Sequence, residues 1–207
     1  MMTIESMIPL RIGLCGDLIP VEPDTINERT AHRITDLGFA GVTVHLGAGR
    51  GIAPGDLDSQ VCRRVRDLFD AHGVRVVQSW AFGANHVHPD REGRRRELAR
   101  LGDAMRVAAD LGADAVIGGC GSLNPSGAYA PHRDNHGRAT RKRLVASLEE
   151  AAARAQEFGV PLALECHVLT TLDTPEHMRD ILEAVDSPYV RANLDPANFV
   201  GDLVMLR

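Results

Sequence analysis

The strand-like stretch PLALECHV (residues 161–168), followed further along the chain by VRANLD (residues 190–195), decides the fold. In both stretches side chains alternate between two faces, as in a β-strand that packs one face on a core. The more apolar face should meet a layer of helices. The opposite face then carries Glu165, His167, Asn193 and Asp195. These polar residues fall near the carboxyl ends of the strands, where parallel barrels place their functional groups.

The same succession of a short apolar run and a longer stretch of helical period continues along the whole chain. Strand-like runs occupy residues 10–19, 41–47, 74–80, 113–120, 161–168 and 190–195. They recur about every 30 residues, and helices between strands require parallel crossover connections. A nucleotide-binding doubly wound sheet usually carries G-x-G-x-x-G after its first strand. Here the first run continues into GDLIPVEPD (residues 16–24), so the sequence favours a (β/α) barrel.

Residues that cap helices mark where the predicted helices begin and end. Asp24 and Asp58 are predicted N-caps of the first and second helices, and Thr174 with Pro175 opens the fifth. The fourth helix should end before Gly159. It has the clearest apolar stripe, formed by Leu144, Leu148, Ala151, Ala155 and Phe158.

Composition excludes several classes of protein. The chain has 28 acidic and 23 basic residues, a net charge of −5, and 44% hydrophobic residues, which is typical of one globular domain over residues 1–207. The acidic balance argues against nucleic acid and anionic membranes as partners. We expect no membrane span, because no run approaches about 20 apolar residues. The four cysteines are widely separated, so we expect free thiols and a cytoplasmic location.

Two carboxylates on neighbouring strands need an explanation, because Glu165 and Asp195 should repel each other unless a proton or a metal ion lies between them. One interpretation is a structural pair held by Arg191 or by a core histidine. The other is a site for a divalent metal, namely Mn²⁺, Co²⁺, Zn²⁺ or Mg²⁺. The sequence favours the metal.

Other aromatic and imidazole side chains lie near the same ends of the predicted strands. His45 lies on the second strand, Trp80 ends the third, and His86 and His88 follow the third. All four are candidate substrate contacts, as are His167 and Asn193. The alternatives are core packing for His45 and Trp80, and a surface position for His86 and His88 in the segment NHVHP (residues 85–89). The polar loop 123–137 is long enough to be a lid. Helical histidines should be solvated: His32, His72 and His177.

The segments LALECHV and VRANLDPANF resemble the xylose isomerase-like barrel superfamily, which contains sugar isomerases and epimerases, dehydratases and abasic-site endonucleases. The resemblance implies that Glu165 and Asp195 are metal ligands and that Glu165 exchanges a proton with the substrate. Many members carry a histidine where this chain has Asn198, which can hydrogen-bond a substrate hydroxyl but cannot carry a proton.

The resemblance also sets expectations for the function. It implies a metal-dependent isomerase or epimerase of a sugar, sugar phosphate or related polyhydroxy carbonyl compound, acting through an enediolate. Family members use a further histidine and glutamate from the seventh and eighth strands, whereas this chain ends at Arg207. We therefore expect a C-terminally truncated barrel of about six of the eight βα units. Alternatives are a dehydratase, or a non-catalytic or partner-completed module, including a homo-oligomer; the net charge disfavours an endonuclease.

Overall fold

In a computed structural model, residues 12–16, 18–20, 22–45, 53–80 and 84–200 are described, and their six strands form one parallel sheet in chain order. The strands are β1 (Gly13–Leu14), β2 (Gly41–Val44), β3 (Arg75–Trp80), β4 (Val116–Gly119), β5 (Leu162–Glu165) and β6 (Val190–Asn193). Within the described residues β1 and β6 are the two edges, so the sheet is an unclosed barrel. Parts of the predicted runs 10–19 and 41–47 lie outside the described residues. Arg207 also lies outside them.

Each strand is joined to the next one through a helix, as parallel pairing requires. These helices are α1 (Glu28–Asp36), α2 (Ser59–Ala71), α3 (Arg91–Asp110), α4 (Arg138–Phe158) and α5 (Pro175–Val185). A short 3-10 helix, Pro196–Phe199, follows β6. The sequence prediction of an incomplete β/α barrel is therefore confirmed. Over the part of the chain that is described, no helix is both long and apolar enough to cross a membrane.

Most predicted helix ends are confirmed, and one is wrong. Asp58 accepts a hydrogen bond from the backbone of α2, Thr174 does the same for α5, and Gly159 ends α4 in the left-handed conformation with φ of 71°. Asp24, however, lies inside a short 3-10 turn, and Asn27 caps α1. The reason is that Ile26, between them, is completely buried, so the chain enters the core before α1 begins.

The main core lies between the sheet and the helices. Its largest fully buried side chains include Phe69, Met105, Leu144, Leu148, Leu162 and Leu164. Each contributes roughly 1.5–3 kcal/mol by leaving water, so α4 and β5 are firmly held together. All four cysteines are free thiols, as the sequence predicts, and Cys62, Cys120 and Cys166 are buried.

An irregularity between β2 and β3 determines what lies inside the barrel. Val42 pairs with Val76, but the register then shifts and Thr43 pairs with Gln78. Val77 is the extra residue of this bulge. Without the shift Gln78 would share the helix-facing side with Val76, since strand residues two apart lie on one face. The bulge reverses this alternation and turns Gln78 toward the barrel interior, where it reaches Asn193.

Candidate active site

The half-buried carboxylate of Glu165 is the centre of the polar interior. Leu164, its neighbour on β5, is completely buried in the helix-facing core, and the alternation of the strand directs Glu165 to the opposite face. The amide nitrogen of Asn193 donates to Oε2 and that of Asn198 donates to Oε1, both at 2.8 Å. One amide on each oxygen fixes the plane of the carboxylate while leaving its negative charge in place.

A directed row of hydrogen bonds orients the first of these amides. Thr43 Oγ1 donates to Gln78 Oε1 at 3.1 Å, and Gln78 Nε2 donates to Asn193 Oδ1 at 3.1 Å. With its oxygen thus occupied, Asn193 turns its amide nitrogen to Glu165. The row runs from β2 through β3 to β6 across the concave side of the sheet, which shows how far the sheet curves. Each hydrogen bond in the row fixes which way the next side-chain amide is turned.

Asp195 acts on the same site through the turn that follows β6. Its Oδ1 accepts from the backbone nitrogen of Ala197 at 3.0 Å and so caps the 3-10 helix Pro196–Phe199. This turn brings Asn198 back over Glu165, and the carbonyl of Asn198 accepts from the Val168 backbone at 3.1 Å. The segment DPAN thus returns a side chain from β6 to the end of β5.

The electrostatics of the two carboxylates fit a cation. None of the ion pairs among the described residues includes Glu165 or Asp195. Arg191, the cation expected if the pair were purely structural, donates instead to the Pro188 carbonyl at 2.9 Å. Partly buried carboxylates without a positive partner are stabilised by a divalent ion, and hard oxygen donors suit one. Glu165 and Asp195 are therefore candidate ligands.

His45 and Trp80 lie together one step further along their strands. They follow Thr43 and Gln78 by two residues, and their rings meet edge to face with centroids 4.4 Å apart. Burial lowers the pKa of His45, and its Nε2 lies 3.8 Å from the Cys15 sulfur. The pair forms a half-buried aromatic wall at the carboxyl ends of β2 and β3. Its contact with a substrate stays a prediction.

The two histidines of NHVHP take part in the structure of the β3–α3 loop. His86 is 1% exposed, its carbonyl accepts from Ser147 of α4 at 2.7 Å, and burial lowers its pKa to about 4. The ring of His88 covers Gly93 in the first turn of α3, and its Nδ1 accepts from the Asp90 backbone at 3.1 Å. A substrate contact for either histidine stays a prediction.

Tyr129 is a site residue that the sequence analysis did not identify. Its hydroxyl lies over Gly119, where even a methyl group would collide with it, and Gly119 is the β4 partner of Glu165. Its ring meets that of His167 edge to face at 5.7 Å. Burial, with the nearby Cys120 thiol and Glu165 carboxylate, raises the pKa of Tyr129. The hydroxyl is therefore held in its protonated form beside Glu165.

A signal for Tyr129 was present in the sequence, although it did not identify the residue. The loop 123–137, expected to be a lid, contains one of only two tyrosines in the chain. Whether such a loop folds back over the strands depends on its own anchors. Asn135 supplies them: its Oδ1 accepts from Leu123 at 3.0 Å, and its Nδ2 donates to the Leu169 carbonyl at 3.1 Å.

These features define the class: a parallel β/α barrel with an acidic site at the carboxyl ends of its strands. Comparison identifies the family. The family model of the xylose isomerase-like TIM barrel matches residues 31–205, and the chain belongs to this family. No curated protein matches the sequence.

Solved structures share the fold at low sequence identity. The 3-keto-D-glucoside 4-epimerase YcjR from E. coli is 16% identical, with a TM-score of 0.67 over 89% of this chain and 67% of that one. The IOLI protein with a bound zinc atom is 17% identical, with a TM-score of 0.68 over 92% and 64%. The probable 3-DHS dehydratase AsbF from Bacillus anthracis is 13% identical, with a TM-score of 0.66 over 90% and 63%. The chain thus spans about two thirds of the length of each.

Proposed function

We propose that this chain belongs to a metal-dependent isomerase or epimerase that acts on a sugar, sugar phosphate or related polyhydroxy carbonyl compound, and that it supplies the group that transfers the proton. The observation that carries the proposal is the Glu165 carboxylate, held by two neutral amides inside the barrel and free of ion pairs within the described residues. Such a carboxylate has a fixed direction and an unneutralised charge. Both properties are needed to remove a proton from carbon.

Glu165 and Asp195 would hold the ion, of which Mn²⁺, Co²⁺, Zn²⁺ and Mg²⁺ are the candidates; when bound, it polarises the substrate carbonyl and acidifies the neighbouring C–H. Asn193 and Asn198 keep Glu165 in the orientation in which it accepts the proton and returns it. The zinc-bound IOLI structure supports a metal in this fold.

The walls of the site suit a small polar substrate with an apolar edge. The rings of His45 and Trp80 provide a flat surface on one side, and Tyr129 and His167 provide hydrogen-bonding groups on the other. A ring or chain bearing hydroxyls has both kinds of surface. We propose these four residues as substrate contacts.

Hydrogen exchange tests the proposal without knowledge of the final product. The full chain, stripped with EDTA and reloaded with MnCl₂, is incubated in D₂O with D-fructose, D-ribulose 5-phosphate and hydroxypyruvate in turn. Loss of the proton signal next to the carbonyl is followed by NMR. At least one compound should exchange, and Glu165→Gln should slow this by about 100-fold or more.

Glu157→Gln is the matched control, because Glu157 is an exposed carboxylate on α4 paired with Arg154. Its exchange rate should equal that of the unchanged chain. Exchange that persists in Glu165→Gln would exclude Glu165 as the base. A chain that exchanges none of the compounds counts against an isomerase and favours a non-catalytic or partner-completed barrel, which size-exclusion chromatography then distinguishes by mass.

A dehydratase is the second candidate, and the position of Tyr129 favours it. Glu165 would take the proton next to the carbonyl, and the Tyr129 hydroxyl would give its proton to the departing hydroxyl, so that water leaves and a C=C bond forms. The fold match to AsbF supports this alternative. Absorbance of a conjugated product, lost in Tyr129→Phe while deuterium exchange continues, would identify the dehydratase.

A further inference from the structure

Three side chains with metal-binding atoms meet between the β4–α4 loop (residues 120–137) and the start of α5. Asp173 bridges two histidines: its Oδ1 lies 2.6 Å from His177 Nδ1, and its Oδ2 lies 3.3 Å from His136 Nε2. The two imidazole rings stack with centroids 5.4 Å apart. His177 is solvated as expected, with its side chain 43% exposed. Its meeting with His136 was not predicted, because the two chain segments approach each other only in the fold.

The protons of this cluster show what a cation would replace. His136 Nε2 faces two acceptors, Asp173 and the Thr170 carbonyl at 3.0 Å, so it must carry a hydrogen in the metal-free protein. His177 Nδ1 likewise donates to Asp173. For a metal ion to bind these two nitrogens, each neutral ring must carry its proton on the other nitrogen, Nδ1 of His136 and Nε2 of His177. The ion would then gain two neutral imidazoles and one carboxylate, the usual ligands of zinc.

The spacing of the ligand atoms suits a small ion. The three ligand atoms lie within 4.8 Å of one another. Around a tetrahedral Zn²⁺ with bonds of about 2.0–2.2 Å, ligand atoms lie roughly 3.3–3.5 Å apart. Rotations about the side-chain bonds can bring the separations to this range, lengthening the one between Asp173 and His177 and shortening the longer ones. The Thr170 carbonyl is close enough to His136 to serve as a fourth ligand.

Two of the three residues are held by the helix start. The His177 backbone donates to the capping hydroxyl of Thr174, and Pro175 occupies the first turn, so Asp173 and His177 sit at fixed positions before and within α5. At 23% exposed, Asp173 is partly shielded, whereas the histidines, at 42% and 43%, remain open to solvent and to an entering ion.

Beside the cluster lies a cavity of about 50 Å³, lined by both histidines as well as Asn135, Thr171 and Arg141. This volume admits a water molecule as a further ligand. The one cation in the lining is already engaged, since Arg141 lies 3.5 Å from Asp180 and donates to its carbonyl.

We propose that His136, Asp173 and His177 form a Zn²⁺-type metal site, separate from Glu165, that clamps the β4–α4 loop to α5. That loop carries Tyr129 against Gly119, the β4 partner of Glu165, and Asn135, next to His136, anchors it. Metal at the clamp would therefore stabilise the loop in the position that places Tyr129 over Gly119.

A second cluster of similar composition provides a matched control. Glu28 and His32 on α1 lie near His72, which pairs with Glu28 at 2.7 Å. Glu28 is 70% exposed and has an additional rotatable bond, so ordering it around an ion costs more side-chain entropy than ordering Asp173. We expect weaker zinc binding there.

The test uses the full chain carrying Glu165→Gln, which removes one of the two proposed metal ligands of the barrel interior. ZnCl₂ is titrated into the EDTA-stripped protein by calorimetry, and thermal unfolding is followed with and without zinc. The tightest site should weaken by at least about tenfold in Asp173→Asn and in His136→Gln, with loss of the zinc-induced rise in Tm. His72→Gln should leave both measurements unchanged.

Several outcomes would overturn the proposal: no zinc binding, binding unaffected by Asp173→Asn and His136→Gln, or binding lost in His72→Gln. Both variants should fold, because Asp173→Asn preserves the size of the side chain and His136 lies outside the helices. Circular dichroism without zinc verifies this. Because the background lacks Glu165, these results are independent of the exchange assay.

Discussion

The side-chain amide nitrogen of Asn198 lies 2.8 Å from Oε1 of Glu165, joining the turn after β6 to the end of β5. A hydrogen bond to an ionised acceptor contributes about 1.5–3 kcal/mol, more than one between neutral groups. The partner amide, Asn193, belongs to a row of bonds that begins on β2, whereas Asn198 is held by its own short helix and by its backbone bond with Val168. The orientation of Glu165 thus has two independent supports.

Removing one support should reduce the proposed activity. Asn198→Ala is expected to lower the exchange rate by about 10- to 100-fold, which corresponds to the energy of the lost bond. Asn198→His can still donate a hydrogen and should retain more activity than Asn198→Ala. Equal activity of all three proteins would show that Asn198 does not position Glu165.

Breaking the row that orients Asn193 should instead reduce stability. Gln78→Leu leaves the Asn193 oxygen and the Thr43 hydroxyl without their partner, and we expect the free energy of unfolding to fall by about 1–3 kcal/mol in urea titrations. Gln60→Leu is the control, because Gln60 is exposed on α2 and should change the stability by less than about 0.5 kcal/mol. Similar losses in both variants would argue against the row.

Buried His86 should make the protein sensitive to acid. Burial lowers its pKa to about 4 in the folded protein from 6.5, so below pH 6.5 the unfolded chain binds the proton more readily. This contribution to stability is complete above pH 6.5 and is lost as the pH falls toward 4, amounting to about 3 kcal/mol at most. In His86→Leu, the free energy of unfolding should therefore fall less between pH 7 and pH 4. An unchanged pH dependence would contradict the prediction.

The contact of Tyr129 with Gly119 can be tested by a double-mutant cycle. Gly119→Ala puts a methyl group where the tyrosine hydroxyl lies, and this overpacking should cost about 1–3 kcal/mol in urea unfolding. In a Tyr129→Ala background the same change should cost almost nothing. Gly102→Ala is the control: nothing surrounds that position on α3, and alanine there should stabilise the helix by about 0.5–1 kcal/mol. Purely additive effects of Gly119 and Tyr129 would exclude the contact.

Local patterns in the sequence were sufficient for much of the fold. The stripe on α4, the caps Asp58 and Thr174, and the terminating Gly159 depend on residues within a turn of one another, so the sequence contains the whole interaction. The cap of α1 was misassigned because the burial of Ile26 is a tertiary event.

The amino-acid sequence by itself determined that the chain alternates strands with helices and that Glu165 lies on the face opposite Leu164, because alternation along a strand is a local property. Only the tertiary structure decided what surrounds Glu165. The β3 bulge that turns Gln78 inward shifts the alternation by one residue, and nothing in RVVQSW reveals it. The approach of Tyr129, and the meeting of His136 with His177, depend on loops whose anchors lie in other units of the barrel, so their positions follow from packing rather than from spacing in the chain.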